Sequence, residues 1–266
     1  MKGQVLSVNR DKQEVLVKHD AITGFMMAMT MPYQVRSADM LDNLSAGRII
    51  LGIGLGHVMA REFFRTYGID NREAVRRFNE GVRVLKSLWT EPVTNFAGEF
   101  YQLQRTGMWP KPVQQPHVPL WFGGQHPDAL RRAVKFADGY TCAGPNTTDE
   151  FAGFVAQIRR FLDEEERDPA TLPLSKRVYL AIDKDAARAK RRLDEFFGTR
   201  YPWQIQRNPA FVADICVWGS TAQVVEGLAR VARIGATTII AHPLWDFEDH
   251  LAALASEVIP AVRSSL

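Results

Sequence analysis

The sequence predicts an α/β fold: a parallel sheet of about five βα units, preceded by a small β hairpin region. Three observations predict it. From about Leu41 onward, short apolar runs that end in glycine alternate with stretches whose apolar residues recur at helical spacing. Before that, residues 3–35 carry only short runs rich in β-branched side chains. The chain has 266 residues, 46% hydrophobic and 24% charged, which supplies apolar side chain for a sizeable core.

The elements follow in order. Gln4-Val5-Leu6-Ser7-Val8 and Glu14-Val15-Leu16-Val17-Lys18, separated by Asn9-Arg10-Asp11-Lys12-Gln13, carry a hairpin signature. A third apolar run spans Met29 to Val35, and no comparable succession of short strands is expected later. Arg48 to Gly54 is an apolar run ending in glycines, and Glu73 to Trp89 carries a helical stripe of Val75, Phe78, Val82, Leu85 and Trp89. Val118 to Phe122 reads as a strand stopped by Gly123-Gly124, Asp128 to Ala137 as a helix, Gly139 to Ala143 as a strand and Glu150 to Glu166 as a helix. Val178 to Ile182 and Asp185 to Phe197 repeat the unit. Ser220 or Thr221 caps a helix running to Arg233, Thr237 to Ala241 is the last strand and Phe247 to Val262 the last helix. Strands alternating with helices imply a parallel sheet. An open doubly wound sheet and a barrel both satisfy this count.

Composition excludes several classes. A net charge of +3 is not the clustered basic stripe of a nucleic-acid binder, so no nucleic-acid partner is expected. The arginine-rich runs Arg72–Arg77 and Arg188–Arg192 read as solvated helix surface. No apolar run reaches membrane-spanning length, and Met1 to Lys18 lacks the continuous apolar core of a signal peptide. No membrane association and a cytoplasmic location are therefore expected. Cys142 and Cys216 form no metal-spacing motif and read as buried small hydrophobes.

Several constellations are candidates for chemistry. Gly52-Ile53-Gly54-Leu55-Gly56 follows a strand, where glycines allow close approach of a ligand to backbone. Phe122-Gly123-Gly124-Gln125-His126-Pro127-Asp128 joins a strand to a helix, with Pro127 suited to the first helical position. Free amides and the helix dipole there make an anion site, and a cofactor phosphate is its natural occupant. Met108-Trp109-Pro110-Lys111-Pro112 reads as a stiff connection without chemistry. His19, Met29 and Met31 form a soft ligand set suited to Cu(I), although spacing alone favours methionines filling a small core. His57, His117, His242 and Trp245 are lone candidates that read as structural when taken singly.

Taken together, several segments resemble the luciferase-like monooxygenase superfamily. They are Leu41-Asp42-Asn43-Leu44-Ser45-Ala46-Gly47-Arg48, Leu51 to Gly56, Glu62-Phe63, Arg83 to Trp89, Gly98-Glu99-Phe100-Tyr101, Pro110 to Gln114, Pro119 to Gly124, Ala137-Asp138-Gly139 and Trp218-Gly219-Ser220. The resemblance implies a (β/α)8 barrel that binds FMN or the deazaflavin coenzyme F420 at the C-terminal ends of its strands. By that analogy Gly123, Gly124 and Gln125 present amides to the cofactor phosphate, and Gly54 and Gly56 line the approach. No catalytic acid or base is assigned. In the family, the segment found here at Leu41 precedes the fourth strand. A partial TIM barrel of about five units over residues 37–266, lacking the first three, is therefore expected.

Residues 3–35 resemble the copper-binding domain of heavy-metal efflux systems, through Val17 to Ile22 and Gly24 to Tyr33. This implies His19, Met29 and Met31 as Cu(I) ligands, with Met26 at the position of a stacking tryptophan. Residues 1–36 are expected to form that β segment, fused near Ser37–Gly47 to the barrel portion. The function expected from the two resemblances is a flavin- or F420-dependent oxidoreductase or monooxygenase acting on a small organic substrate. The alternative is a Cu(I)-binding protein with an inactive barrel portion. The open barrel edge is expected to be covered by the N-terminal strands or, in a homo-oligomer, by a second chain.

Overall fold

The computed structural model describes residues 3–9, 14–19, 29–34, 47–56, 64–109 and 111–266, the first three stretches as backbone. Two compact units divide the chain: Met1–Leu51 with Leu55–Pro119, and Gly52–Gly54 with Leu120–Leu266.

In the first unit, β1 (Gly3–Asn9), β2 (Glu14–His19) and β3 (Met29–Gln34) form an antiparallel sheet in that order. The predicted hairpin is therefore present. Helix α1 (Ala74–Thr90) forms over the expected span, but it buries Glu80, Val82 and Val84; of the expected stripe Val82 is buried and Val75 is exposed. Its C-terminal carbonyls are met by Lys111, whose Nζ donates to the carbonyls of Leu88 and Glu91, so a cation sits where the helix dipole is negative. A second hairpin was not expected: β5 (Thr94–Ala97) pairs with β6 (Gln102–Thr106). Its tip is the Gly98-Glu99-Phe100-Tyr101 motif. The buried Glu80 carboxylate of α1 accepts from the amides of Glu99 (3.0 Å), Phe100 (2.9 Å) and Tyr101 (2.7 Å). Burial alone would raise the Glu80 pKa, but the three amides outweigh it and hold it below the usual carboxylate range. A Cβ at Gly98 would lie 2.0 Å from Glu80 Oε1, so only glycine lets the carboxylate reach the tip.

The second unit is a parallel sheet with helices, the predicted incomplete barrel. It contains β4 (Leu51–Ile53), β7 (Leu120–Gly123), β8 (Gly139–Cys142), β9 (Leu174–Ile182), β10 (Cys216–Gly219) and β11 (Thr238–Pro243). Five of these are the expected strands, and β10 is an addition. The path runs β10-β9-β8-β7-β4, with β11 also on β9. Register shows how β9 takes three partners. β11 runs along one edge from Ser175 to Leu180. On the other edge β8 takes Leu174–Lys176 and β10 takes Tyr179–Ile182.

The connecting helices are α2 (Pro127–Phe136), α3 (Thr148–Glu164), α4 (Ala186–Arg200), α5 (Pro202–Arg207), α6 (Phe211–Ile215), α7 (Thr221–Ile234), α8 (Phe247–Ala253) and α9 (Ile259–Ser264). Ser220 caps α7 through a capping box with Gln223. The expected last helix is split by a π-helical turn at Leu254–Val258, just ahead of Pro260, whose ring cannot follow a regular α-helical turn. Tyr179 and Ala181 on one face of β9 pack with Ala189, Leu193 and Phe197 of α4 and with Phe211, Val212 and Ile215 of α6. Tyr179, Phe197 and Phe211 meet edge to face at 5.2 Å centroid spacings, the geometry aromatic quadrupoles favour. Both cysteines are free and buried. Among the described residues, no helix is long and apolar enough to cross a membrane. Within the two basic runs Arg72 pairs with Asp70, Arg76 with Glu99, Arg77 with Glu73, Arg188 with Asp183 and Arg192 with Asp246 at the surface.

Candidate functional site at the strand exits

The exit of β7 is built from its buried run Leu120-Trp121-Phe122. The strand passes through Gly124 at φ +147°, where a Cβ would lie 2.6 Å from the Ala129 side chain. Helix α2 then starts with Pro127 at its first position and His126 as N-cap. His126 Nδ1 accepts from the Asp128 amide at 3.3 Å, and the His126 carbonyl takes the amides of Ala129 (2.8 Å) and Leu130 (3.1 Å). The amides of Gln125 and His126 therefore precede the first helical hydrogen bond, at the positive end of the α2 dipole. Gly54 stands beside this turn: a Cβ there would lie 3.9 Å from the Gly123 carbonyl.

The next strand holds the turn in place. Tyr140 of β8, buried, donates its hydroxyl to the Gly124 carbonyl at 2.8 Å. Burial pushes the phenol far above its ordinary range, so it remains a donor. Gln125 Nε2 donates to Asn146 Oδ1 at 3.0 Å, tying the β7 exit to the β8 exit.

The β8 exit has a different internal economy of charge. Helix α3 is closed by a capping box: the Thr147 amide donates to Glu150 Oε2 (2.7 Å) and the Glu150 amide to Thr147 Oγ1 (3.0 Å). Beneath it lies the fully buried Lys176 of β9. Its Nζ donates to the carbonyls of Arg177 (2.8 Å), Ala143 (3.3 Å) and Gly144 (3.5 Å), and burial lowers its pKa. Burial likewise pushes the Cys142 thiol up to about 11. Gly144 meets the ring of Tyr179, whose Cε2 lies 2.5 Å from where a Cβ would stand.

The face of β9 away from Lys176, the same face whose Tyr179 and Ala181 pack on α4 and α6, carries Ser175, Arg177 and Tyr179, in register with Thr238, Ile240 and His242 of β11. Arg177 Nη2 donates to the Tyr179 hydroxyl at 3.2 Å. The Tyr179 ring has the guanidinium 5.3 Å from its centroid and the His242 ring at 5.2 Å. Burial, and then the nearby Arg177 charge, lower the His242 pKa.

Gly54, Gly123, Gly124 and Gln125 thus fall in one unit at adjacent strand exits. Gly56, at φ +88°, belongs to the other unit. On the β2–β3 ladder His19 is paired with Met29 and Val17 with Met31, so the three copper candidates lie within two rungs. Met26 and His57 lie outside the described residues. His117 packs near Trp89, with ring centroids 6.3 Å apart, and its Nδ1 lies 3.0 Å from the Val118 carbonyl. Trp245 packs against Phe196 and lies under Arg192. Sequence reasoning did not find Tyr140, Asn146 or Lys176. Lys176 gave no signal, because it stands between Ser175 and Arg177 ahead of the apolar run Val178–Ile182. Among the described residues no cluster of three or more His, Cys, Asp or Glu side chains is arranged to hold a metal.

An incomplete (β/α) barrel with glycine-lined exits at the C-terminal ends of its strands defines the class of the fold, a partial TIM barrel. The model of the luciferase-like monooxygenase family matches residues 33–238, and the chain belongs to that family. A second model, that of the copper binding periplasmic protein CusF, matches residues 1–50. The chain is 30% identical over 150 residues to an F420-dependent glucose-6-phosphate dehydrogenase of Kineococcus radiotolerans, covering 56% of this chain and 44% of that protein. It is 31% identical over 122 residues to an FMNH2-dependent dimethylsulfone monooxygenase of Pseudomonas putida, covering 45% of this chain and 33% of that protein. These matches span less than half the length of either relative. Among solved structures, an F420-dependent secondary alcohol dehydrogenase in complex with an F420-acetone adduct superposes with a TM-score of 0.67 at 18% identity, over 84% of this chain and 72% of that one, and shares the fold.

Proposed function

We propose that this chain is a flavin- or deazaflavin-dependent oxidoreductase acting on a small organic substrate, with the cofactor phosphate received at the N-terminus of α2. The observation that carries the reading is the Gly123-Gly124 turn, kept open by Tyr140 and followed by the amides of Gln125 and His126 ahead of the helix. The donor chemistry fits a phosphate: backbone amides, a helix dipole, and a turn that admits no side chain at Gly124. The names of the two relatives, one using F420 and the other FMNH2, support a cofactor of this class. When bound, such a cofactor supplies the hydride or the reducing electrons, while the protein binds, orients and excludes water. Tyr140 and Asn146 fix the turn, and Gly54 leaves the approach clear.

Titration with FMN and with F420 tests this. Charge-assisted hydrogen bonds contribute about 1.5–3 kcal/mol each, so losing one weakens binding roughly tenfold or more. Gly124→Val is expected to abolish binding. At Gly123 a Cβ would meet Thr141 and Ile53 atoms at 3.6–3.9 Å, ordinary contact, so Gly123→Ala keeps the scaffold and reports on the cofactor alone. Equal affinities for wild type and both variants would overturn the site.

A second reading concerns the N-terminal strands, for which we infer Cu(I) binding through His19, Met29 and Met31. The CusF model match over residues 1–50 and the pairing of His19 with Met29 support it. Thioethers are soft ligands, so Met29→Ala and Met31→Ala are expected to weaken Cu(I) binding far more than Cu(II) binding. Cu(I) competition titrations that leave both variants at wild-type affinity would exclude these ligands.

A further inference from the structure

The last helical segment carries more apolar surface than its own chain covers. It runs from α8 through the π-helical turn Leu254–Val258 into α9. Its inner side is anchored. His250, Leu254 and Val258 are buried, His250 Nε2 accepts from the Ile182 amide of β9 at 3.0 Å, and Glu257 accepts from Thr221 Oγ1 of α7 at 3.2 Å. Beside that side runs a second row. Phe247, Leu251 and Ile259 are 58%, 60% and 44% exposed, with the exposed Ala255 between the last two. Steps of four keep residues on one face of a helix, and the wider π-helical turn takes up the drift that successive steps would accumulate. Apolar residues scattered singly are ordinary at a surface, whereas a contiguous row marks an interaction face.

Three features say what covers it. The strand leading into the segment, β11, pairs with β9 on one edge and with no strand on the other among the described residues, so the helix stands at the open side of the barrel. The row is bulky toward both ends and small in the middle, where Ala252, Ala255 and Ser256 stand. Its ends carry opposite charges on the same flank: Glu248 beside Phe247, and Arg263 at the Ile259 end. Both are exposed, and neither makes an ion pair among the described residues. Turned end for end about Ala255 and Ser256, the segment therefore matches itself. We propose that a second copy of this chain covers the row, with the two helices antiparallel about a two-fold axis and each Glu248 against the partner subunit's Arg263. In an antiparallel pair a flank meets the same flank of its partner, which brings these opposite charges together. The alanines at the crossing let the helix axes approach, so that the bulky ends pack across them.

Sedimentation velocity of the full chain across the micromolar range tests this. The expected result is a reversible monomer–dimer equilibrium. Leu251→Glu, at an exposed position, is expected to raise the dimer dissociation constant roughly tenfold or more, since each interface contains the change twice. Glu248→Arg and Arg263→Glu each bring like charges together and should weaken the dimer several-fold. The double variant should return it close to wild type. The two positions lie about four helical turns apart within one chain, so only a contact between chains produces that rescue. The charge variants decide the matter if Leu251→Glu alters the circular dichroism spectrum. A chain that stays monomeric throughout, its face bare or covered by its own N-terminal strands, overturns the proposal. So does a dimer that Leu251→Glu leaves at wild-type strength, or one in which the double charge swap is no better than either single change.

Discussion

The exits of β7 and β8 are neighbours with the same strand-to-helix plan, yet they handle the helix N-terminus in opposite ways. At α3 the positive end is occupied from within: Glu150 returns its carboxylate to the Thr147 amide, and Thr147 takes the Glu150 amide. At α2 the cap is His126, which brings no permanent negative charge, and the amides of Gln125 and His126 come ahead of the helix. One exit turns its acid back onto the cap amide, while at the other the first-turn Asp128 leans toward His126, its carboxylate 3.4 Å from Nδ1, and leaves the Gln125 and His126 amides to the turn. The supports differ too. The β8 exit is held from below by the Lys176 ammonium through the carbonyls of Ala143 and Gly144, whereas the β7 exit is held by two neutral groups, the Tyr140 hydroxyl on the Gly124 carbonyl and Asn146 on the Gln125 side-chain amide.

The largest expected effect comes from removing the support of the filled exit. Lys176→Ala opens a cavity and strands the carbonyls it served, and should destabilise the chain by about 3–5 kcal/mol in denaturant unfolding. A loss under about 1 kcal/mol would mean that the β8 exit stands without its lysine. The corresponding change at the open exit is smaller: Tyr140→Phe leaves the Gly124 carbonyl without its donor, for about 1–2 kcal/mol, and should weaken cofactor binding beyond that loss of stability. Equal unfolding losses for the two variants would erase the distinction in supports. Smaller again is Glu150→Ala, about 1 kcal/mol through the lost capping box. It should convert the filled exit into an open one, so that phosphate raises the thermal midpoint of Glu150→Ala more than that of wild type. If phosphate protects both alike, filling by Glu150 is not what distinguishes the exits.

The last prediction expects almost no change. With its pKa raised to about 11, Cys142 is a neutral thiol at pH 8 and should resist iodoacetamide until the chain unfolds. The sign for stability follows. The fold favours the protonated thiol, so this contribution is intact below the ordinary thiol value of 9.0 and is lost as pH rises toward about 11. Rapid labelling of folded protein at pH 8 would contradict the burial of the β8 terminus.

The parts of the molecule that sequence made legible are those with local causes. The five barrel strands and the helices after them announce themselves by apolar runs, glycine stops and helical stripes. Ser220 and Pro127 mark their helix starts as expected. The β5–β6 hairpin was hidden because its strands are polar and its tip is organised by Glu80, a residue on a helix about twenty positions earlier. Strand β10 is four residues long and follows the short helices α5 and α6, of which α6 is held by the aromatic packing around Phe197 rather than by a pattern of its own. The glycines at the exits were visible as glycines. What holds the exits was not, because Tyr140 reaches the β7 turn and Lys176 the β8 exit only through the register of β8 and β9. The site residues taken from the resemblance, Gly54, Gly123, Gly124 and Gln125, came together, while Gly56 fell in the other unit.

The Glu80 contact carries a consequence for how this segment tolerates change in length. A helix turns about 100° with each residue, so a single insertion in α1 between Glu80 and Thr90 swings the Glu80 carboxylate away from the hairpin that follows. An insertion between Thr90 and Gly98 shifts the tip instead. Either change strips three amides of their acceptor at once. Residues 80–101 are thus a cassette of fixed length: its surface side chains are open to drift, but the helix end and the hairpin can be transferred, duplicated or grafted only together.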